Sequence, residues 1–255
     1  MKAVKYGAFD MQANGVVVLE TDVYSAPTNK IQADALAERD GALVVKQQYD
    51  SKPFTVTGYL RADTQEELEM LMDVFKAAMA VKSQPFEIAH AGGTRRYLAS
   101  ARNDIISRNK RLTTATFSVE FFSPDGMGWD IESTDLIESM NISLHNQSIP
   151  ILVEGSYKAD PIIKVTVNTV TGGTAKTISL GNAETLRSVQ VTRTWVAGDV
   201  LEMDTLKGEL LVNGEPEEYR GALLSFQPGP NALVYNDDFT TRDVTILSSY
   251  TRRWL

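Results

Sequence analysis

Apolar residues along this chain come in short runs or strict alternation with polar ones, and turn residues punctuate them. Val16-Val17-Val18-Leu19 reads as a buried strand entered from a turn at Asn14-Gly15. Residues 25 to 29 form a polar, proline-bearing loop. Residues 31 to 41 are rich in alanine and in charges of both signs, and end on Arg39-Asp40-Gly41. Asp-Gly between two flanking segments signals a hairpin, because both residues tolerate the positive φ such a turn demands. Leu43-Val44-Val45 follows as a strand. Residues 54 to 60 then alternate strictly, as expected when one face of a strand enters a core.

One segment breaks the period of two. Leu68, Leu71, Met72, Phe75 and Met79 recur at helical spacing and predict a single apolar helix face. Thr64 and Glu67 are spaced for a capping box, in which each side chain meets the other residue's backbone N–H. Glu66, Glu67 and Glu69 lie at the positive end of the helix dipole, and Lys76 and Lys82 lie towards the negative end. The helix is expected to cover one face of a sheet. Strands resume at Phe86-Glu87-Ile88 and Arg96-Tyr97-Leu98 around a turn at Gly92-Gly93. Ala115, Phe117, Val119 and Phe121 then alternate with polar neighbours.

The breaker cluster Ser123-Pro124-Asp125-Gly126-Met127-Gly128 sets a boundary between domains at 1–130 and 131–255. Residues 131 to 156 offer only polar, strand-like material. Beyond them, strands are expected at 162–167, 188–191, 200–203, 209–212, 232–235 and 244–250. Turns are expected at Gly172-Gly173, Lys207-Gly208, Asn213-Gly214 and Pro228-Gly229-Pro230-Asn231. Short strands at regular spacing predict a β-sandwich, so the fold class is mainly β, with an α+β first domain.

Composition narrows the chemistry. The chain has no cysteine, which removes disulfides, thiolate metal sites and cysteine nucleophiles together. His90 and His145 are the only histidines, too few for a histidine-rich zinc site. No catalytic residue, cofactor or metal is expected. Glu66, Glu67 and Glu69 belong to a helix start, and Glu215, Glu217 and Glu218 follow a hairpin turn. Asn236-Asp237-Asp238 with Asp243 lacks the spacing of a calcium loop and reads as a solvated turn. Residues 172–177 lack the spacing of a phosphate loop.

The net charge of −8 argues against nucleic-acid binding by counterion release. Arg95-Arg96, Arg108 with Lys110 and Arg111, and Arg252-Arg253 are scattered, so solvated faces or acidic neighbours should absorb them. Trp129, Trp195 and Trp254 are expected to anchor a core or an interface rather than to stack on sugars. No run of eighteen apolar residues suggests a membrane span, and the first residues carry no secretory pattern.

The order of features resembles a known family. A β-rich first domain carries one capped helix and ends in Phe121-Phe122-Ser123-Pro124-Asp125. The second contains Trp195-Val196-Ala197-Gly198-Asp199-Val200-Leu201, Leu211-Val212-Asn213-Gly214 and Phe226-Gln227-Pro228-Gly229-Pro230-Asn231. Its closing strand runs through Tyr250 to Arg252-Arg253-Trp254-Leu255. This sequence of motifs is similar to the distal tail protein family of siphophages, whose members are structural parts of the virion. Residues 36 to 60 resemble that family's first-domain arm.

The resemblance implies a barrel-like, ring-forming first domain similar to tail-tube subunits, and a galectin-like second sandwich. It implies a hexameric ring at the tail tip, around a channel that DNA traverses without specific binding. Expected partners are further copies of the chain, the tail-tube and tape-measure proteins, and tail-hub or tail-fibre proteins; synthesis is expected in the host cytoplasm, with no membrane insertion. Ile31, Arg39, Asp40, Gly41 and Val44 are the candidate assembly residues. The alternatives are another tail-tube component, a carbohydrate-binding sandwich module and, least favoured, an enzyme.

Overall fold

The computed structural model describes residues 3–36, 40–90, 92–108, 113–170 and 174–255. Arg39, Lys110, Arg111 and the expected Gly172-Gly173 turn lie outside the described residues. The chain is mainly β, as expected, and divides into two compact units, Met1–Ile131 with Leu255 and Glu132–Trp254.

In the first unit the elements are β1 (Val4–Tyr6), β2 (Phe9–Asp10), β3 (Val16–Thr21), β4 (Asn29–Ala35), β5 (Ala42–Tyr49) and β6 (Lys52–Arg61). Helix α1 (Gln65–Met79) follows, then β7 (Gln84–His90), β8 (Gly93–Arg108), β9 (Thr114–Ser123) and β10 (Gly128–Asp130). The main sheet runs β2-β1-β7-β8-β9-β6-β3, and β10 pairs with β8; β4 and β5 form a separate ribbon. Alternation decides which way each strand faces: Ala115, Phe117, Val119 and Phe121 of β9 are buried, with Phe121 opposite Phe54 of β6. Tyr6 of β1 and Val18 of β3, from opposite ends of the strand order, share one core with Phe54 and Phe121, so the sheet curls around that core.

The helix forms where its local signals place it. The Thr64 hydroxyl accepts from the Glu67 N–H at 3.2 Å, and the Glu67 carboxylate accepts from the Thr64 N–H at 3.0 Å. These bonds satisfy two of the amides that a helix start leaves without partners. Leu68, Phe75 and Met79 are buried, and Phe75 meets Phe117 with ring centroids 5.0 Å apart. The capped helix therefore closes the core from one side, as its periodicity requires.

Lys52 is the unexpected member of this unit. Its parity with Phe54 and Val56 turns it inward at the start of β6, where it is buried. The ammonium donates to the Val23 carbonyl and lies 5.2 Å from the Tyr97 ring centroid. Burial pushes the amine down to about 8, although the Asp22 carboxylate opposes that shift. In an unfolded chain a lysine titrates near ~10.4. Between those values the unfolded state binds the extra proton, so stability should rise as pH increases from about 8. Above ~10 the tyrosines oppose this rise, because unfolded phenols ionise while burial holds Tyr6 and Tyr97 above their ordinary value. Urea titrations from pH 7 to 10 should show the increase in the wild type and lose it in Lys52→Met. A rise of equal size in both chains would assign it elsewhere.

In the second unit the strands are β11 (Thr134–Ile142), β12 (Gln147–Val153), β13 (Ile162–Val170), β14 (Lys176–Asn182), β15 (Arg187–Arg193) and β16 (Val200–Asp204). They continue with β17 (Glu209–Val212), β18 (Glu215–Pro216), β19 (Arg220–Gly221), β20 (Gly229–Asp237) and β21 (Arg242–Tyr250). One sheet runs β11-β21-β13-β16-β17-β18 and the other β12-β20-β14-β15-β19. Val165 and Ile246 of the first sheet share a core with Leu180, Val191 and Tyr235 of the second, which is a β-sandwich. Trp195 is a core anchor: it is buried, and its indole N–H donates to the Lys176 carbonyl at 2.9 Å. Asn213 and Gly214 both take positive φ, 54° and 84°, and join β17 to β18 as the Asn-Gly pair requires.

The structure also corrects several readings. Strand β20 begins at Gly229, so the expected turn at 228–231 is partly strand. Pro230 is tolerated because it pairs only with β12; β14 joins β20 from Leu233 onwards. Lys176 and Thr177, from the segment without phosphate-loop spacing, open β14, while the polar, strand-like material at 131–156 does supply strands, β11 and β12. Asp237 is not part of a solvated turn but is buried at the end of β20. The described arginines of the scattered basic groups mostly have acidic partners: Arg96 with Glu87, Arg108 with Glu69, Arg252 with Glu154 and Arg253 with Asp160.

Candidate assembly surface

Strands β4 and β5 make a two-stranded ribbon that shares no ladder with the main sheet. Its pairs run from Asn29–Tyr49 to Ala35–Ala42; beyond the last of them the Leu36 N–H donates to the Gly41 carbonyl at 3.4 Å, and Gly41 takes a φ of 111°. At the base, the Asp50 N–H donates to the Thr28 carbonyl at 2.8 Å. There Lys30 also pairs with the Asp50 carboxylate at 2.7 Å, which holds that carboxyl below its usual range. Between base and tip, every β4 residue is exposed, and so is every β5 residue except the partly covered Tyr49. The ribbon therefore projects as an arm.

Pairing and bulging determine what the arm displays. Ala33 lies opposite Val44, and Ile31 follows at the next position on the same face of β4. A register shift between Gln32 and Ala33 leaves Val45 unpaired, as in a β-bulge. The structure thus brings the expected residues Ile31 and Val44 to one face, 59% and 54% exposed, and puts Asp40 and Gly41 in the connection between the strands, just before β5. Leu43 and Val45, also exposed, add apolar surface that the candidate residues did not include. Their only sequence signal was the run Leu43-Val44-Val45, which looks the same in a buried strand.

Such an arm has no core of its own. A two-stranded ribbon is marginal in water on its own, and this one leaves its apolar side chains on both faces uncovered. Among the described residues, no cluster of three metal-ligating side chains occurs, and no helix is long and apolar enough to cross a membrane.

Comparison with known proteins bears on both units. Residues 23–123, which include the arm, match a family model described as a phage tail protein RIFT-related domain. Residues 154–254 match one described as a siphovirus-type tail component, C-terminal domain. No curated protein matches. Among solved structures, the Dit protein of phage SPP1, described as a paradigm of the hub adsorption apparatus in phages infecting Gram-positive bacteria, shares the fold across its whole length. It is 12% identical, covers 100% of both chains and gives a TM-score of 0.74. A chain of the phage P2 baseplate in its activated, calcium-bound conformation is 6% identical over 99% of this chain and 98% of its own, with a TM-score of 0.48.

Proposed function

Because the chain belongs to the distal tail protein family of siphophages, we propose that it closes a hexameric ring around the DNA exit channel at the tail tip and serves there as a hub for adsorption proteins. In this reading the first unit forms the ring and abuts the tail-tube and tape-measure proteins. The second unit holds tail-hub, tail-fibre or other receptor-binding components. The single observation that carries it is the exposed arm with Ile31, Leu43, Val44 and Val45 on its surface.

The physical argument concerns closure. A ring of identical subunits needs a heterologous contact, in which one surface of each copy meets a different surface of the next. An arm that projects apolar side chains and buries none of them against its own unit is suited to reach a neighbour. Its exposed backbone ladder can add pairing to that contact. An excess of acids, 33 against 25 lysines and arginines, also disfavours retention of DNA that passes close by.

Light scattering with negative-stain imaging tests the reading. The full chain should form rings of defined stoichiometry. The double variant Ile31→Lys with Val44→Lys, and a chain lacking residues 31–45, should shift the mass to monomer while the second unit keeps its hydrogen-exchange protection. Rings of undiminished yield in both variants would refute the arm's role. A wild-type chain that stays monomeric beside isolated tail-tube ends would refute the ring itself.

A further inference from the structure

A second surface, independent of ring formation, lies on the sandwich. Gln190 and Thr192 point outward from β15, whose alternate residues Val189 and Val191 enter the core. The segment from Glu217 to Gly221 runs along the edge of β15 and stands beside them as a wall. Glu218, Tyr219 and Arg220 from that wall enclose, with Gln190 and Thr192, a groove of about 290 Å³. That volume is near the lower end for small-molecule sites.

The wall is fixed at both ends. At one end Glu217 pairs with Arg193 at 2.9 Å, and Arg193 lies over the buried Trp195 ring, 5.5 Å from its centroid. The Glu217 N–H also donates to the Leu210 carbonyl at 3.1 Å. At the other end Gly221, with a φ of 99°, lets the backbone close on β15: a Cβ there would sit 2.0 Å from the Ser188 carbonyl oxygen. The Ala222 N–H donates to that same oxygen at 2.9 Å. Between these anchors, the side chains of Gln190, Glu218, Tyr219 and Arg220 hold no hydrogen bond or ion pair among the described residues. A rigid frame thus presents unengaged donors and acceptors beside a tyrosine ring that is 41% exposed.

We infer that this groove binds a neutral saccharide. An exposed tyrosine offers a flat apolar face for the C–H side of a pyranose ring. Gln190, Thr192, Glu218 and Arg220 supply both donors and acceptors, the mixture that vicinal hydroxyls require. An isolated anion fits less well, because the Glu218 carboxylate shares the groove with Arg220, and Glu217 already occupies Arg193. An added peptide strand also fits poorly, since β19 covers the edge of β15 through the pairs Gln190–Arg220 and Val189–Gly221. Polar, open walls make this a weak site, one that gains from the many copies a ring would present.

The test uses the full chain with maltotriose, lactose and tri-N-acetylchitotriose, followed by saturation-transfer NMR, and with inorganic phosphate as competitor. At least one of the three sugars should bind with a dissociation constant in the millimolar range, and phosphate should not displace it. Tyr219→Ala should weaken binding tenfold or more and Tyr219→Phe should retain it; Gln190→Ala with Arg220→Ala should weaken it comparably. An unchanged melting curve shows that these variants keep the fold. Binding of none of the three sugars, binding indifferent to Tyr219→Ala, or displacement by phosphate would each overturn the inference. All of these readings are made on the chain in whatever oligomeric state it adopts, so failed ring formation would leave them intact.

Discussion

Replacing Asp237 by alanine is expected to cost the second unit about 3–5 kcal/mol, the usual penalty for removing one partner of a buried charge pair. The carboxylate side chain is wholly buried at the end of β20 and accepts four bonds. They come from the Tyr235 hydroxyl at 2.8 Å, the Phe239 N–H at 2.9 Å and, at 3.1 Å to each carboxylate oxygen, the Arg242 Nε. Alanine would strand all three donors. Arg242 would keep its bond to the Phe239 carbonyl at 2.8 Å, but its charge, largely withdrawn from solvent, would have no counterion.

Asp237→Asn separates charge from shape. It keeps the volume but puts an amide N–H where a donor already points, so its loss should approach that of alanine rather than of a neutral swap. Burial, reinforced by the Asp237 carboxylate, already holds the Tyr235 phenol far above its usual value, so Tyr235 stays a donor throughout the accessible pH range. Urea unfolding followed by hydrogen exchange of β20 and β21 measures the effect. A loss below about 1 kcal/mol, the level of ordinary substitutions, would mean that the network is incidental.

The second large effect is expected from Phe121→Ala in the first unit, again about 3–5 kcal/mol, now from lost transfer energy and a residual cavity. Phe121 is fully buried and touches three aromatic rings. The centroid distances are 5.1 Å to Tyr6, 5.3 Å to Phe54 in a stacked arrangement and 5.0 Å to Phe86. These rings come from β1, β6 and β7, so the vacancy would open where three strands meet and could not close by moving one of them. Phe121→Leu should cost less, because it returns part of the volume. If hydrogen exchange in β6 and β9 were as slow in Phe121→Ala as in the wild type, the cluster would not carry the core.

These two sites illustrate what could and could not be read from residue order. Phe121 was legible: the alternation Ala115, Phe117, Val119, Phe121 assigns it to a buried face, and β9 bears this out. Helix α1 was legible for the same reason, since both its 3.6-residue period and its Thr64–Glu67 cap act within a few residues. The Asn213-Gly214 hairpin rests on local φ preferences alone. Asp237 was not legible, because its burial depends on Tyr235 and Arg242 converging in space at the end of a strand whose hydrophobic pattern had already ended.

The candidate surfaces divide along the same line. A hairpin around Asp40-Gly41 and strand β5 follow from the sequence, whereas β4 does not, because residues 29–35 carry no strand pattern of their own. The outward exposure of Ile31, Leu43, Val44 and Val45 does not, since an apolar run carries no record of whether another strand will cover it. The saccharide groove needs β15 beside residues 217–221, a contact that Gly221 permits only by taking positive φ. Residue order by itself therefore determined strands, helix, turns, the mainly β class and the absence of cysteine chemistry. The family resemblance rested on the order of those same elements. Tertiary structure alone decided which apolar residues stay uncovered and which polar ones meet, because pairing partners such as β6 with β9 or β13 with β21 lie tens of residues apart. Their choice depends on the whole core, whereas φ preferences and periodicity act over one turn.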